Sequence, residues 1–142
     1  MKKILLIILL CFYHSLYAQD LPTAKIQWQN YSPKEFSTAV TKKHPILLYV
    51  ISTTCDWCHE MDKTTFQNQQ IISIINKNYY PIIINGPKNR KFLNSYQVNY
   101  APTVVIIDQN RKAILTLSGY YSPENLLKEL AQLPGVSENN TQ

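Results

Sequence analysis

The chain has 142 residues, of which 45% are hydrophobic and 16% charged, and this suits one globular domain with a sizeable core. Its formal net charge is +5. The basic residues are scattered except for a small cluster at Lys88, Arg90 and Lys91, whereas nucleic-acid-binding domains concentrate positive charge on one face. Composition therefore predicts a single domain without a nucleic-acid partner.

Residues 1–18 have the pattern of a secretory signal peptide. Lys2 and Lys3 form a basic start, Ile4 to Tyr13 an apolar stretch, and Ala18 a small residue at the expected cleavage site. The apolar stretch is too short for a comfortable membrane span. We therefore expect a periplasmic or secreted protein with no stable membrane insertion after the signal is removed.

Cleavage after residue 18 would leave residues 19–135 as the folded domain and 136–142 as a polar tail. Loss of the two N-terminal lysines leaves twelve basic and nine acidic residues, a net charge of +3. Cys11 would leave with the signal, so Cys55 and Cys58 would be the only cysteines of the mature chain. A lipoprotein anchored through Cys11 is the less favoured alternative, because the residue before it is larger than lipoprotein cleavage prefers.

Cys55 and Cys58 form a CxxC motif at the junction of a predicted strand and a predicted helix. The short, apolar and β-branched run Pro45–Ile51 is typical of a buried strand. After the motif, Cys58, Met61 and Phe66 recur at helical spacing and mark a buried face. The first cysteine is therefore expected where the helix begins, and the second one turn inside it.

The start of a helix favours an anion, because its backbone N–H groups are unpaired and the macrodipole is positive there. A thiolate is such an anion, and a lower thiol pKa raises the fraction of thiolate that can attack a disulfide. We therefore predict Cys55 as the nucleophile and Cys58 as the resolving cysteine. In an exported protein, such an isolated pair is better explained by thiol–disulfide exchange than by a structural staple.

Three other interpretations of the motif remain open from the residues alone. With His59, the pair spells the c-type haem attachment motif, although a strand entering the motif is wrong for a small helical cytochrome. A zinc site would have to use Cys55, Cys58, His59 and His44 as ligands. The third is a structural disulfide or two inert thiols, but a two-residue spacing closes a loop too short to constrain the unfolded chain much.

Periodicity and turn residues predict the remaining elements in chain order. The first are an edge strand near Ile26–Trp28 and a helix that starts at Ser32–Pro33, whose inner face carries Phe36, Ala39, Val40 and Lys43. After the CxxC motif come a helix over 68–76, a strand over Pro81–Asn85 and a short helix over 88–96. The last are a strand from Pro102 to Asp108, a strand over 112–117 and a helix capped by Ser122.

This order, β-α-β-α-α-β-α-β-β-α, together with the CxxC motif and Ala101–Pro102–Thr103 at the head of a later strand, resembles the thioredoxin-like superfamily. The segments Cys55–Met61 and Thr64–Phe66 look most like exported domains related to the C-terminal, electron-delivering domain of transmembrane disulfide reductases. The resemblance covers nearly the whole mature chain. It implies an α/β fold with a central mixed sheet of four to five strands flanked by helices on both faces.

The resemblance also implies roles for residues outside the cysteine pair. Pro102 is expected in the cis form against the two cysteines, and the backbone of Ala101 is expected to pair with the substrate. Trp57, between the cysteines, is predicted to be exposed and to join the substrate-docking surface. Asp56 and His59 are predicted to modulate the thiols through their charge.

Two positions depart from the family pattern. Thr54 precedes the first cysteine where tryptophan is common, and Tyr49 falls where many thioredoxins carry a buried aspartate that helps proton transfer. A phenol is no general base at neutral pH, so Asp56, Glu60 or water would have to take that proton. The carboxylates should also raise the thiolate pKa, which favours a reducing or isomerising protein over a strong oxidant.

The sequence thus predicts an exported thiol–disulfide oxidoreductase that needs no metal or organic cofactor. Its partners would be protein thiols or disulfides as substrates and a redox partner protein, and it would be a monomer. The alternative is a non-catalytic thioredoxin-like module that holds a partner protein on the surface around Trp57 and Pro102.

Overall fold

The β-branched and apolar runs of the chain form five strands in the computed structural model, which describes residues 24–133. The strands are β1 (Gln29–Asn30), β2 (Ile46–Ile51), β3 (Tyr80–Asn85), β4 (Thr103–Ile107) and β5 (Ala113–Ser118). They make one mixed sheet in the order β1-β3-β2-β4-β5. Strands β1, β3 and β2 are parallel, while β4 is antiparallel to both β2 and β5.

The antiparallel pairing of β2 with β4 brings two loops to one edge of the sheet. Val50, near the end of β2, pairs with Thr103 at the start of β4. The segment that follows β2 contains the cysteine pair, and the segment that precedes β4 contains Pro102. The topology therefore places both predicted parts of the site at the same end of the central strands.

Over the described residues, five α-helices connect or follow the strands: α1 (Pro33–Val40), α2 (Asp56–Lys63), α3 (Gln69–Asn78), α4 (Arg90–Asn94) and α5 (Pro123–Ala131). Short 3₁₀ turns lie at Thr65–Gln67 and Pro87–Asn89. Side-chain oxygens cap three of the helices: Ser32, Asn68 and Ser122 each accept a hydrogen bond from a backbone N–H of the first turn. These caps satisfy donors that a helix start leaves unpaired.

The sheet separates two apolar layers, because successive residues of a strand point to opposite faces. On β2, Leu47 and Tyr49 pack with α2, α3 and α5, while Leu48 and Val50 pack with α1 and α4. Met61 and Phe66 are buried in the first layer, as predicted. The α/β fold with helices on both faces of a mixed sheet is thus confirmed.

The edge strand and the C-terminal ends of two helices differ most from the predictions. The edge strand pairs through Gln29–Asn30, not Ile26–Trp28, because the backbone of Lys25 and Gln27 is hydrogen-bonded to the side chain of Asn76 on α3 instead of to the sheet.

Helix α1 ends at Val40, so Lys43 lies beyond the helix, where it is exposed and has no place on the inner face. Helix α2 ends at Lys63, and a 3₁₀ turn brings Thr65 and Phe66 into the core. The predicted spacing of the buried residues is confirmed, but these residues lie on a helix and a following 3₁₀ turn and not on one continuous helix.

The predicted signal peptide and polar tail lie outside the described residues, and the domain limits 19–135 stay a prediction. Within residues 24–133, no helix combines the length and apolar character that crossing a bilayer requires.

Candidate active site

Cys55 occupies the N-cap position of α2, at the end of a short loop that leaves β2 after Ile51. Its backbone is extended, with φ −112° and ψ 96°, and its carbonyl accepts hydrogen bonds from the N–H groups of Cys58 and His59. Its sulfur accepts the N–H of Cys58 at 3.1 Å. The sulfur therefore takes the place of a capping oxygen and lies against the positive end of the helix, as the sequence predicted.

The two cysteines form a disulfide, with their sulfurs 2.13 Å apart. Cys55 keeps 8% of its surface exposed and Cys58 only 2%. The difference is small in area, but the outer position of Cys55 leaves it the more accessible to an incoming polypeptide. This ranking agrees with the predicted roles of attacking and resolving cysteine.

The loop before β4 forms the second part of the site. The Ala101–Pro102 peptide bond is cis, as the resemblance implied. Pro102 is buried and Ala101 half-buried. The carbonyl of Pro102 accepts a hydrogen bond from the N–H of Gly119 at 2.8 Å, and the Thr103 hydroxyl donates to the carbonyl of Tyr100 at 2.9 Å. These bonds fix the loop between the end of β5 and the start of β4.

Trp57 lies on the exposed side of α2, with 63% of its surface accessible. Its ring packs against Tyr120, which follows Gly119, with the ring centroids 5.6 Å apart. The Tyr120 hydroxyl is 3.1 Å from the Thr64 hydroxyl, and this hydrogen bond holds the Tyr120 ring in position. The predicted docking residue is therefore exposed and joined to the loop that contacts Pro102, a connection that the sequence did not reveal.

The predicted modulators Asp56 and His59 are both exposed on α2. Water screens charges at such positions, so their influence on the sulfurs is weaker than the sequence suggested. The two carboxylates predicted as proton acceptors, Asp56 and Glu60, share this exposure. Neither has the sheltered position from which a carboxylate serves a buried thiol best.

Tyr49 replaces the buried aspartate of many thioredoxins and is itself fully buried. Its hydroxyl donates a hydrogen bond to the carbonyl of Cys58 at 3.2 Å. Burial raises the pKa of Tyr49 far above its ordinary value, and the negative charge of Asp62 acts in the same direction. The phenol therefore stays protonated and acts as a donor next to the second cysteine.

Asp62 is the residue that sequence analysis missed. It lies one helical turn after Cys58, half-buried, beside the Tyr49 hydroxyl. Burial raises the pKa of Asp62, while hydrogen bonding from Tyr49 and the nearby charge of His59 act to lower it. The available signal was the i, i+4 spacing from Cys58, which places both side chains on one face of a helix.

The alternative interpretations of the motif find little support in this arrangement. Among the residues that the structure describes, no three His, Cys, Asp or Glu side chains lie close enough together to hold a metal ion. The sulfurs are bonded to each other, so in this form neither can attach a haem or bind zinc. The arrangement instead suits a cysteine pair that alternates between the disulfide and the dithiol form.

A family model described as a thioredoxin-like domain matches residues 32–134. Among curated proteins, the chain is 32% identical over 59 residues to spermatogenesis-associated protein 20 of Rattus norvegicus, a match that covers 42% of this chain and 8% of that protein. It is 37% identical over 57 residues to the uncharacterized protein B0495.5 of Caenorhabditis elegans, covering 40% and 8%. The chain thus corresponds to a small part of these relatives.

Solved structures share the fold. A DsbH oxidoreductase superposes with a TM-score of 0.66 at 18% identity, covering 80% of this chain and 88% of the other. The oxidised C-terminal domain of Neisseria meningitidis DsbD gives 0.62 at 17% identity, covering 70% and 90%. A thioredoxin from Thermus thermophilus gives 0.66 at 19%, covering 76% and 86%. The chain belongs to the thioredoxin-like domain family, and it carries a CxxC disulfide formed by Cys55 and Cys58.

Proposed function

We propose that the protein is exported and that it reduces or isomerises disulfides of other proteins, with Cys55 as nucleophile and Cys58 as resolving cysteine. The observation that carries this proposal is the position of Cys55 as the N-cap of α2, with its sulfur on the helix N-terminus and bonded to the more buried Cys58. A helix start lowers the pKa of a thiol placed there. The outer cysteine is thus the more reactive one.

The reaction consists of two exchange steps. The reduced Cys55 thiolate attacks one sulfur of a substrate disulfide, which forms a mixed disulfide and releases the other substrate sulfur as a thiolate. Cys58 then loses its proton and attacks the Cys55 sulfur, which closes the Cys55–Cys58 disulfide and releases the second substrate thiolate. Two electrons pass from the pair to the substrate, and a dithiol-containing redox partner protein returns them in the same manner.

Asp62 is the proposed acceptor of the Cys58 proton. It lies on the same helical face one turn further on, and burial raises its pKa above the ordinary aspartate value, which makes the carboxylate a better proton acceptor. Tyr49 donates a hydrogen bond to the Cys58 carbonyl and holds this turn in position. The pair Tyr49 and Asp62 thereby takes over the task of the single aspartate of many thioredoxins.

The direction of electron flow follows from charge. Asp62 is the half-buried carboxylate of α2, so water screens it less than the exposed Asp56 and Glu60, and negative charge beside a thiol disfavours its thiolate. A less stabilised thiolate makes the disulfide form relatively more favourable, which gives a reductant or isomerase and not a strong oxidant. The signal-like residues 1–18 support a periplasmic or secreted location, where protein disulfides occur.

Replacing Cys58 by alanine tests the proposal. The variant should accumulate mixed disulfides through Cys55 when the reduced protein meets a disulfide-containing protein such as insulin, because no resolving thiol is left. Non-reducing electrophoresis and mass spectrometry detect the adduct, and Cys55→Ala is the matched control that should form about tenfold less. If both variants form equal amounts, or none, the assigned roles are wrong.

The exposed rings of Trp57 and Tyr100 favour a second candidate, a module that binds a partner without exchanging disulfides. The same variants separate the two functions. A binding module would retain a partner equally well in the wild type, Cys58→Ala and Cys55→Ala, and its complexes would dissociate without reductant.

A further inference from the structure

The face of α2 next to the cysteines carries an open groove of about 440 Å³ lined by Asp56, Trp57, Glu60 and Tyr120. Two walls are aromatic rings, and the other two side chains are carboxylates. Asp56 precedes Trp57 directly and Glu60 follows it by three residues, so both acids flank the ring on one helix. The groove therefore combines two π-faces with two negative charges beside the reactive cysteine.

The local charge of this groove is opposite to that of the protein. The chain has a net charge of +5, yet three of its nine acidic residues lie on the eight-residue helix α2. Among residues 24–133, no hydrogen bond reaches the side-chain carboxylate of Asp56 or Glu60, both of which are exposed. The two charges are thus free to interact with a group supplied from outside.

We propose that this groove binds a lysine or arginine side chain of the substrate polypeptide, adjacent to the disulfide that Cys55 attacks. A cation placed over an aromatic face within about 6 Å of its centroid is attracted by the ring quadrupole. Carboxylates at the rim add a Coulomb attraction, which steers the cationic segment toward the site. An acidic segment would meet repulsion at the same position.

The groove is positioned to act during exchange. Tyr120 follows Gly119, which donates its N–H to the Pro102 carbonyl, and its hydroxyl is held by Thr64. One wall is therefore joined to the loop before β4, and the other is the residue between the two cysteines. Because Asp56 and Trp57 directly follow Cys55, a polypeptide that presents its sulfur to Cys55 can place a neighbouring side chain over this groove.

The inference rests on the proposed exchange reaction and is tested with three synthetic peptides, each a disulfide-linked homodimer. The peptides differ only in the residues that flank the cysteine, which are lysine, glutamate or norleucine. Reduced protein is mixed with each peptide, and the second-order rate constant of its oxidation is measured by acid quenching and mass spectrometry. The ratio of rate constants between peptides is compared among the protein variants. A substitution that changes the intrinsic reactivity of the Cys55 thiol changes all three rate constants alike and leaves this ratio unaffected.

The lysine peptide should react about fivefold faster than the norleucine peptide, and the glutamate peptide more slowly than either. Glu60→Gln should lower the lysine preference about twofold, and Asp56→Asn combined with Glu60→Gln should lower it further, to the part that the aromatic rings supply. Glu129→Gln, which removes a carboxylate from α5, is the matched control and should leave the ratio unchanged. The preference should also weaken as ionic strength rises from about 0.01 M to about 1 M, because the Debye length falls from about 30 Å to about 3 Å.

Equal rates for all three peptides, or a preference for norleucine, would overturn the inference while leaving the exchange reaction intact. A lysine preference that the double substitution leaves unchanged would also overturn it, because the carboxylates of the groove would then contribute nothing to the attraction. Absence of exchange with every peptide would instead contradict the proposed function itself.

Discussion

At the scale of single residues, the two cysteines differ in depth and in their relation to the helix. The sulfur of Cys55 caps α2, and Cys58 lies one turn inside, under the Tyr49 hydroxyl. We predict that, in the reduced protein near neutral pH, iodoacetamide labels Cys55 about tenfold faster than Cys58, since alkylation requires an accessible thiolate. Quenched labelling followed by peptide mapping measures both rates, and preferential labelling of Cys58 would reverse the assignment.

Asp62 provides a second test at this scale. Asp62→Asn removes the proposed proton acceptor and should slow resolution of the mixed disulfide about tenfold or more, because general base catalysis typically contributes at least this much. The formation of the mixed disulfide should change little. Stopped-flow kinetics separate the two steps, and Asp56→Asn, an exposed carboxylate on the same helix, is the control. Equal slowing of resolution in both variants would assign the effect to charge in general.

The raised pKa of Asp62 also predicts a pH dependence of stability. The folded protein holds this proton more tightly than the unfolded chain, so Asp62 destabilises the fold increasingly as pH rises through its raised pKa. Asp62→Asn should therefore gain unfolding free energy relative to the wild type as pH rises above about 4, the ordinary aspartate pKa. Urea titrations of the two oxidised proteins measure this difference. A stability advantage of Asp62→Asn that grows as pH falls would contradict the assignment.

At the scale of elements, the turn between β5 and α5 joins the two halves of the site. Gly119 has φ +94°, and a Cβ built there meets no atom within 4 Å, so its requirement is conformational and not steric. Gly119→Ala should cost about 1 kcal/mol of stability or more and slow exchange by displacing Tyr120 from Trp57. Gly119→Asn should lose less, because asparagine tolerates positive φ better. Urea unfolding tests this, and equal losses in both variants would contradict the explanation.

The elements also show where sequence reasoning succeeds. The strand Ile46–Ile51 and the helix start at Cys55 were predictable, because a short apolar run, a CxxC motif and a helical spacing all indicated the same boundary. The edge strand is misplaced in the prediction, since the backbone just before it bonds to the Asn76 side chain of α3, a contact that no local pattern reveals. A two-residue strand carries too short a pattern to fix its own register.

The site itself was only partly predictable. The cysteines, Trp57 and the cis peptide bond before Pro102 followed from local motifs and from the family resemblance. The contacts of Asp62 with Tyr49 and of Trp57 with Tyr120 could not be predicted. Each joins residues that are far apart in sequence, and only the packing of α2 on the sheet and on the turn after β5 brings them together.

At the scale of the whole molecule, the fold presents the Cys55–Cys58 pair at one end of the central strands, and carboxylates lie on the helix α2 that follows. Such a molecule should exchange two electrons reversibly and act as a reductant or isomerase. Its reduction potential depends on this whole arrangement, since helix start, neighbouring charges and burial all act on the same thiols.

Equilibrating the purified protein with glutathione buffers of graded ratio, followed by alkylation and mass spectrometry, measures that potential directly. We predict a single two-electron transition between about −270 and −180 mV, the range of thioredoxin-like reductants and isomerases. A potential near −120 mV, typical of a strong oxidant, would contradict the proposed direction of electron flow. The absence of any transition at Cys55 and Cys58 would contradict the redox function altogether.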